Sequence, residues 1–214
     1  ATVDGAGNWR VDIPATAIRA GTYEAAVVVR ATDRAGNTDS INQTVSVDTD
    51  VPAGVDVVSY TRDHTGFRGI STELGSETVA VSQVRADGSV VDTHAVGTEI
   101  PALGEELFQF NPMVPDGSHL IVSTQDSAGN RVGTFLALDD AATSVVDVSG
   151  SNLRQFNIDT IDLQFAEDST LTLTEAQLTA LSPTSDSVTI HGGGDDTVTV
   201  AGATKTGATV VNNN

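Results

Sequence analysis

Gly21-Thr22-Tyr23-Glu24-Ala25-Ala26-Val27-Val28-Val29-Arg30-Ala31-Thr32-Asp33-Arg34-Ala35-Gly36-Asn37 reads as a strand running into a tight turn. Tyr23, Ala25, Val27, Val29 and Ala31 recur at every second position, the period of a half-buried β-strand. Each turn residue has a reason to be there: Gly reaches left-handed backbone, and Asp and Asn hydrogen-bond the local main chain. The pattern returns as Gly117-Ser118-His119, a strand, then Asp126-Ser127-Ala128-Gly129-Asn130. After each Asp-x-Ala-Gly-Asn, one more strand leads to an acidic pair, Asp48 and Asp50 in the first copy and Asp139 and Asp140 in the second. The two copies are therefore expected to be the last strands of two similar modules, each followed by an acidic linker.

Working outward, the same alternation continues. Val45 and Val47 mark the strand after the first turn, and Val55, Val57 and Val58 restart the pattern after Asp50-Val51-Pro52. Val79 and Val81, the turn Asp87-Gly88, then Val90 and Val91 predict a hairpin. Val and Thr each occur 28 times, a β-branched bias that predicts an all-β chain. Residues 1–50 supply about three strands, too few for an immunoglobulin-type sandwich of about seven. Residues 51–140 have the length for one. Residues 141–214 form a different, smaller β-rich module: strands near Asp159–Leu163 and Leu171–Leu173, then a capping-box start at Thr174-Glu175-Ala176-Gln177. Leu178 and Leu181 give the short helix after it an apolar face before Pro183. The fold expected is thus tandem immunoglobulin-like β-sandwiches followed by a β-rich module with one short helix.

Composition narrows the function. The chain has no cysteine, so disulfide frameworks and thiolate metal sites are excluded. No run of 18 or more apolar residues occurs, so no membrane insertion by a helix is expected. The first residues lack a signal-peptide pattern, so any export signal is expected to lie elsewhere. Formal net charge is −19, which makes nucleic acid and anionic lipid poor partners. Of the 29 acidic residues, 21 are Asp and 8 are Glu. Asp on a loop caps turns, and it also offers a short oxygen ligand to hard cations.

Two chemistries are open to the Asp-x-Ala-Gly-Asn loops. One is a purely structural turn. The other is a Ca²⁺ site in which Asp33 and Asn37 meet Asp48 and Asp50, and Asp126 and Asn130 meet Asp139 and Asp140. Calcium takes six to eight oxygens, so a loop and a linker together are needed. Asp4-Gly5-Ala6-Gly7-Asn8 has the same look and is read as a structural hairpin turn. Gly192-Gly193-Gly194-Asp195-Asp196 is similar to one turn of a calcium-binding β-roll repeat, but one copy builds no roll, and a glycine-rich hairpin is the expectation. The four histidines share no ligand spacing, and no nucleophile elbow or His-Glu-x-x-His is present, so no enzymatic activity is expected.

Asp-Gly-Ala-Gly-Asn-Trp at 4–9, Gly-Thr-Tyr at 21–23, Asp-Arg-Ala-Gly-Asn at 33–37 and Val-Asp-Thr-Asp-Val-Pro at 47–52 resemble bacterial immunoglobulin-like repeats. The resemblance implies a place in giant, type I-secreted, RTX-type biofilm adhesins at the bacterial cell surface. The final segment, including Asp195-Asp196-Thr197-Val198, resembles a module often found near the C-terminal end of such proteins. The likeness further implies an extracellular extender whose linkers are stiffened by Ca²⁺. Its partners would be neighbouring modules or other copies, with host, glycan or surface ligands beyond them. Two other functions are set beside it. The incomplete first module would make the chain a filament subunit completed by a strand from another copy. A contact loop at 60–75, with Tyr60, Arg62, His64, Phe67 and Arg68, would make it an adhesin tip.

Overall fold

The computed structural model describes residues 2–6, 8–138 and 144–204. The chain divides into two compact units, Ala1–Val51 and Pro52–Asn214. Almost all of its regular structure is β, and among the described residues no helix is long and apolar enough to cross a membrane.

The first unit holds two hairpins. Strands β1 (Thr2–Val3) and β2 (Trp9–Arg10) pair around the first Asp-x-Ala-Gly-Asn loop. Strands β3 (Thr22–Thr32) and β4 (Thr38–Asp48) pair antiparallel without a break, from Thr22↔Asp48 to Thr32↔Thr38. Because paired residues share a face, Tyr23, Ala25, Val27, Val29, Ile41, Val45 and Val47 lie on one side. That side is only partly covered; Ile41 is 65% exposed and Val45 44%.

The second unit begins as two packed antiparallel sheets. The first sheet has the order β5-β6-β10-β9, from β5 (Val57–Asp63), β6 (Gly66–Glu73), β9 (Gly97–Ile100) and β10 (Glu105–Pro115). The second contains β7 (Thr78–Val84), β8 (Val90–Asp92), β11 (His119–Gln125) and β12 (Arg131–Leu136), in the order β12-β11-β7-β8. The expected Asp87-Gly88 turn joins β7 to β8, with Gly88 at φ 77°. Between the sheets lie Phe67, Ile70, Phe108, Phe110 and Val114 from one and Val81, Leu120, Val122 and Leu136 from the other.

Residues beyond 140 do not stand apart as the sequence led us to expect. β12 continues in parallel to β14 (Ile158–Asp162), and β14 to β16 (Thr189–His191), so the second sheet grows to six strands. A third sheet stacks β13 (Val145–Val146), β15 (Thr170–Thr174) and β17 (Thr197–Ala201), again in parallel. The chain thus runs three times from one sheet to the other: β12 to β13, β14 to β15, β16 to β17. It returns through a 3-10 segment, Ser151–Phe156, and then through α1 (Glu175–Leu181). The helix start carries both halves of its capping box: Thr174 Oγ1 accepts from Gln177 N–H, and Gln177 Oε1 accepts from Thr174 N–H at 2.9 Å.

This arrangement gives the six-stranded sheet two cores. Leu120, Val122 and Leu136 face the first sheet, whereas Ile121, Phe135 and Ile161 face the stacked coils and meet Val146, Leu153, Phe156, Leu171, Leu173 and Leu181. Both faces are buried, which is why this stretch reads as a continuous apolar run. The glycine-rich hairpin expected at 192–196 is also corrected. β16 and β17 belong to different sheets and do not pair; the five residues carry the chain across from one to the other.

Candidate functional site

The Asp-x-Ala-Gly-Asn loops are built alike. Asp33 Oδ1 accepts from Ala35 N–H (2.9 Å) and Asn37 N–H (2.8 Å), and its Oδ2 accepts from the Asn37 side-chain amide at 2.7 Å. Asp126 does the same with Ala128 and Asn130, and Asp4 with Ala6 and Asn8. The glycines at 36 and 129 take φ 91° and 95°, the left-handed backbone the turn requires. Both carboxylate oxygens therefore already serve N–H donors. The Asn37 amide, followed by the loop N–H groups, lowers the Asp33 pKa, and the Asn130 amide does so for Asp126. Carboxylates held this way stabilise the fold above the ordinary Asp value and lose that contribution as pH falls from there through the lowered one.

The pairing expected between loop and linker is not made in the first unit. Asp33 and Asn37 sit at one end of the β3–β4 hairpin and Asp48 and Asp50 at the other, eleven paired residues away, or roughly 35 Å at strand rise. Antiparallel pairing is the reason: the turn reverses the chain, and β4 carries it back to the start of β3. In the second unit Asp126 and Asn130 lie at the turn between β11 and β12, while Asp139 and Asp140 fall outside the described residues.

Asp48 and Asp50 do come together, around Thr22, which the ligand set expected from sequence does not include. Thr22 Oγ1 lies 2.9 Å from Asp48 Oδ1 and 3.0 Å from Asp50 Oδ2, and Asp50 N–H donates to Asp48 Oδ1 at 3.0 Å. A hydroxyl carries one proton, so it serves one of these carboxylates at a time. The pair lies immediately before the boundary between the units. In the Gly-Ser-His of the second copy, Ser118 instead accepts from Gln83 Nε2 at 2.8 Å. Gly21 and Gly117 before them share a positive φ. Among the described residues, no group of three or more His, Asp or Glu is gathered for a metal.

A second acidic feature was not anticipated. Asp162, at the end of β14, is 7% exposed; its Oδ1 accepts from Gln164 N–H at 2.9 Å. Burial raises its pKa, the charges of Asp56 and Asp196 add to the rise, and the Gln164 N–H and His191 oppose it. A carboxyl with a raised folded pKa stabilises most when protonated, and that contribution is lost as pH climbs from the ordinary Asp value through the raised one. Asp162→Asn keeps the acceptor for Gln164 and removes the buried charge. It is expected to raise the melting temperature at pH 7 by about 2 °C or more, with the gain shrinking toward about pH 3.5. Thermal melts at the two pH values check this.

Most of the 60–75 stretch belongs to the β5–β6 hairpin. Phe67 is fully buried, and the Tyr60 ring packs against Phe67 and Phe165 with centroids 5.4 and 5.5 Å away. Arg62 pairs with Asp116 at 3.0 Å and lies over the Phe67 ring, and Arg68 pairs with Asp63 at 2.7 Å. No protein-family model matches the chain, and neither a curated protein nor a solved structure is detectably similar to it.

Proposed function

We propose that the chain is a non-catalytic structural segment of an extracellular bacterial adhesin, an extender that Ca²⁺ stiffens at the Asp48–Asp50 pair. The observation that carries this reading is the convergence of two carboxylates on the single Thr22 hydroxyl beside the unit boundary. A divalent cation would relieve their repulsion and hold the next segment in one direction. Two carboxylates and a hydroxyl are fewer than the six to eight oxygens calcium takes, so water and backbone carbonyls must complete the shell. Such sparse sites belong to the millimolar class of extracellular modules. With calcium ten- to a hundredfold above Kd, the ion adds about 1.4–2.7 kcal/mol, enough to hold an orientation.

The module type has support of its own. The order β5-β6-β10-β9 over β12-β11-β7-β8 is that of an immunoglobulin-type sandwich, ABED on one sheet and GFC with an added C′ on the other. The β3–β4 hairpin aligns in register with β11–β12 through their shared loops. Val27 falls on Leu120, Val29 on Val122 and Val45 on Leu138, all three of which are buried against the opposing sheet. The first unit therefore has the pattern of the closing strands of a second such sandwich, which supports a tandem array.

The test is small-angle scattering and calorimetric titration of the full chain. Calcium should lengthen and stiffen the particle relative to chelator. Asp48→Asn with Asp50→Asn should abolish both the heat of binding and the change in shape, whereas Asp33→Asn should preserve them. Binding that survives the double substitution, or scattering indifferent to calcium, would sink the proposal.

A further inference from the structure

We infer that β9 is a pH-responsive edge strand, controlled by Glu99 and Glu106. The two side chains face each other across the β9–β10 pair, hold β9 to the sheet when they share a proton, and loosen it when both are ionised. This device goes beyond the cation-stiffened linker and shares no residue with it.

Pairing register brings the two together. β10 pairs with β9 as Glu105↔Ile100, Glu106↔Glu99, Leu107↔Thr98 and Phe108↔Gly97. Phe108 is buried in the core between the sheets, and Glu106, two positions before it, lies on the same inner face. Its partner on the other side is Thr72 of β6, which has no exposed surface. Glu106 is therefore half-buried at the rim of the core. Its side chain reaches across β9: a Cβ added at Gly97 would collide with the Glu106 carboxylate. Only a glycine there lets the carboxylate lie over the edge strand.

Neither glutamate belongs to an ion pair among the described residues. Glu105 of β10 and Glu73 of β6 stand opposite each other on the outer face. Glu77 follows on the connection to β7, whose inward side chains in the core, Val79 and Val81, are uncharged. On the connection before β9, Asp92 and the well-exposed His94 face each other at 3.4 Å. Burial, and then the Glu99 charge, raise the Glu106 pKa.

Like charges directly opposite each other destabilise an antiparallel pair, and β9 has little else to hold it. It is four residues long, lies at the end of the order β5-β6-β10-β9, and pairs with β10 alone. Below the ordinary Glu value the pair carries a proton, the repulsion is gone and β9 is held. That contribution is lost as pH rises from there through the raised Glu106 value, and β9 opens more often.

Amide hydrogen exchange of the isotope-labelled full chain, in chelator, tests this. Protection of the β9 amides, corrected for intrinsic exchange and referred to β12, should fall about threefold between about pH 4 and about pH 7. Glu106→Gln keeps the length of the side chain and removes its charge, so it should hold β9 at the acid-side protection at the higher pH. Glu99→Gln, at an exposed position, should do the same and stands in where Glu106→Gln disturbs folding. Glu24→Gln, in the first unit, should leave the pH dependence intact. Equal β9 protection at both pH values, or a fall that survives Glu106→Gln or Glu99→Gln, would overturn the proposal. Loss of the pH dependence in Glu24→Gln would overturn it too.

Discussion

Removing residues 141–214 is expected to unfold the sandwich that precedes them rather than release it as an independent domain. The six-stranded sheet buries one face against the first sheet and the other against the coils, so truncation strips the cover from Val84, Ile121 and Phe135, all 4% exposed or less. Uncovering three large apolar side chains at about 1.5–3 kcal/mol each costs about 5–9 kcal/mol, on the scale of the total stability of a domain. The shortened chain should bind a hydrophobic dye and lose its cooperative melt. A sharp transition near the full-length midpoint would show instead that the coils are an accessory. The gentler variant Phe135→Ala should cost about 3–5 kcal/mol. It should also lower the midpoint of the entire second unit in one transition, because Phe135 belongs to the sheet that both cores share.

The second large effect is expected at Gly69, in the middle of β6. A Cβ placed there would lie 2.5 Å from the Phe108 carbonyl oxygen of the neighbouring strand β10, and that neighbour is backbone, which has nowhere to swing. Gly69→Ala must push β6 and β10 apart at the centre of the first sheet, where Phe67, Ile70 and Phe108 are packed. A loss of about 3 kcal/mol is expected, the upper range for overpacking. Gly54→Ala is the control, since nothing lies within 4 Å of its Cβ position, and its effect should stay within about 0.5 kcal/mol. Denaturant unfolding of the two variants gives the comparison directly. Equal midpoints would mean that the strands separate at little cost.

Much of the fold was legible because its strands alternate and its turns carry the residues their backbone demands. The Tyr23–Ala31 pattern, the Asp87-Gly88 turn and the Thr174–Gln177 cap each appear where local chemistry puts them. What sequence did not reveal was non-local. Parallel pairing of β12 with β14 joins segments more than twenty residues apart, and no turn residue marks it. Hence the segment after 140 read as separate, and Gly192–Asp196 read as a hairpin. The candidate site divided along the same line. Asp48 and Asp50 meet because they are two positions apart, whereas Asp33 and Asp48 belong to opposite ends of one hairpin, a fact of pairing register rather than composition. Asp162 escaped notice because nothing about an Asp at the end of a strand says that it will be buried.

The doubly covered sheet also changes what an error in folding would look like. In most hairpins a slip of one residue turns polar groups inward and is rejected at once. Leu120-Ile121-Val122 offers an aliphatic side chain to either layer whichever way it is aligned, so hydrophobicity alone barely distinguishes the right alignment from its neighbour. Discrimination then falls to shape and to the Asp126–Asn130 loop, whose hydrogen bonds to the Asp126 carboxylate fix where the chain reverses. Lengthening that loop by one residue should therefore yield a mixture of nearly degenerate pairings, a frustrated landscape, rather than simple loss of structure.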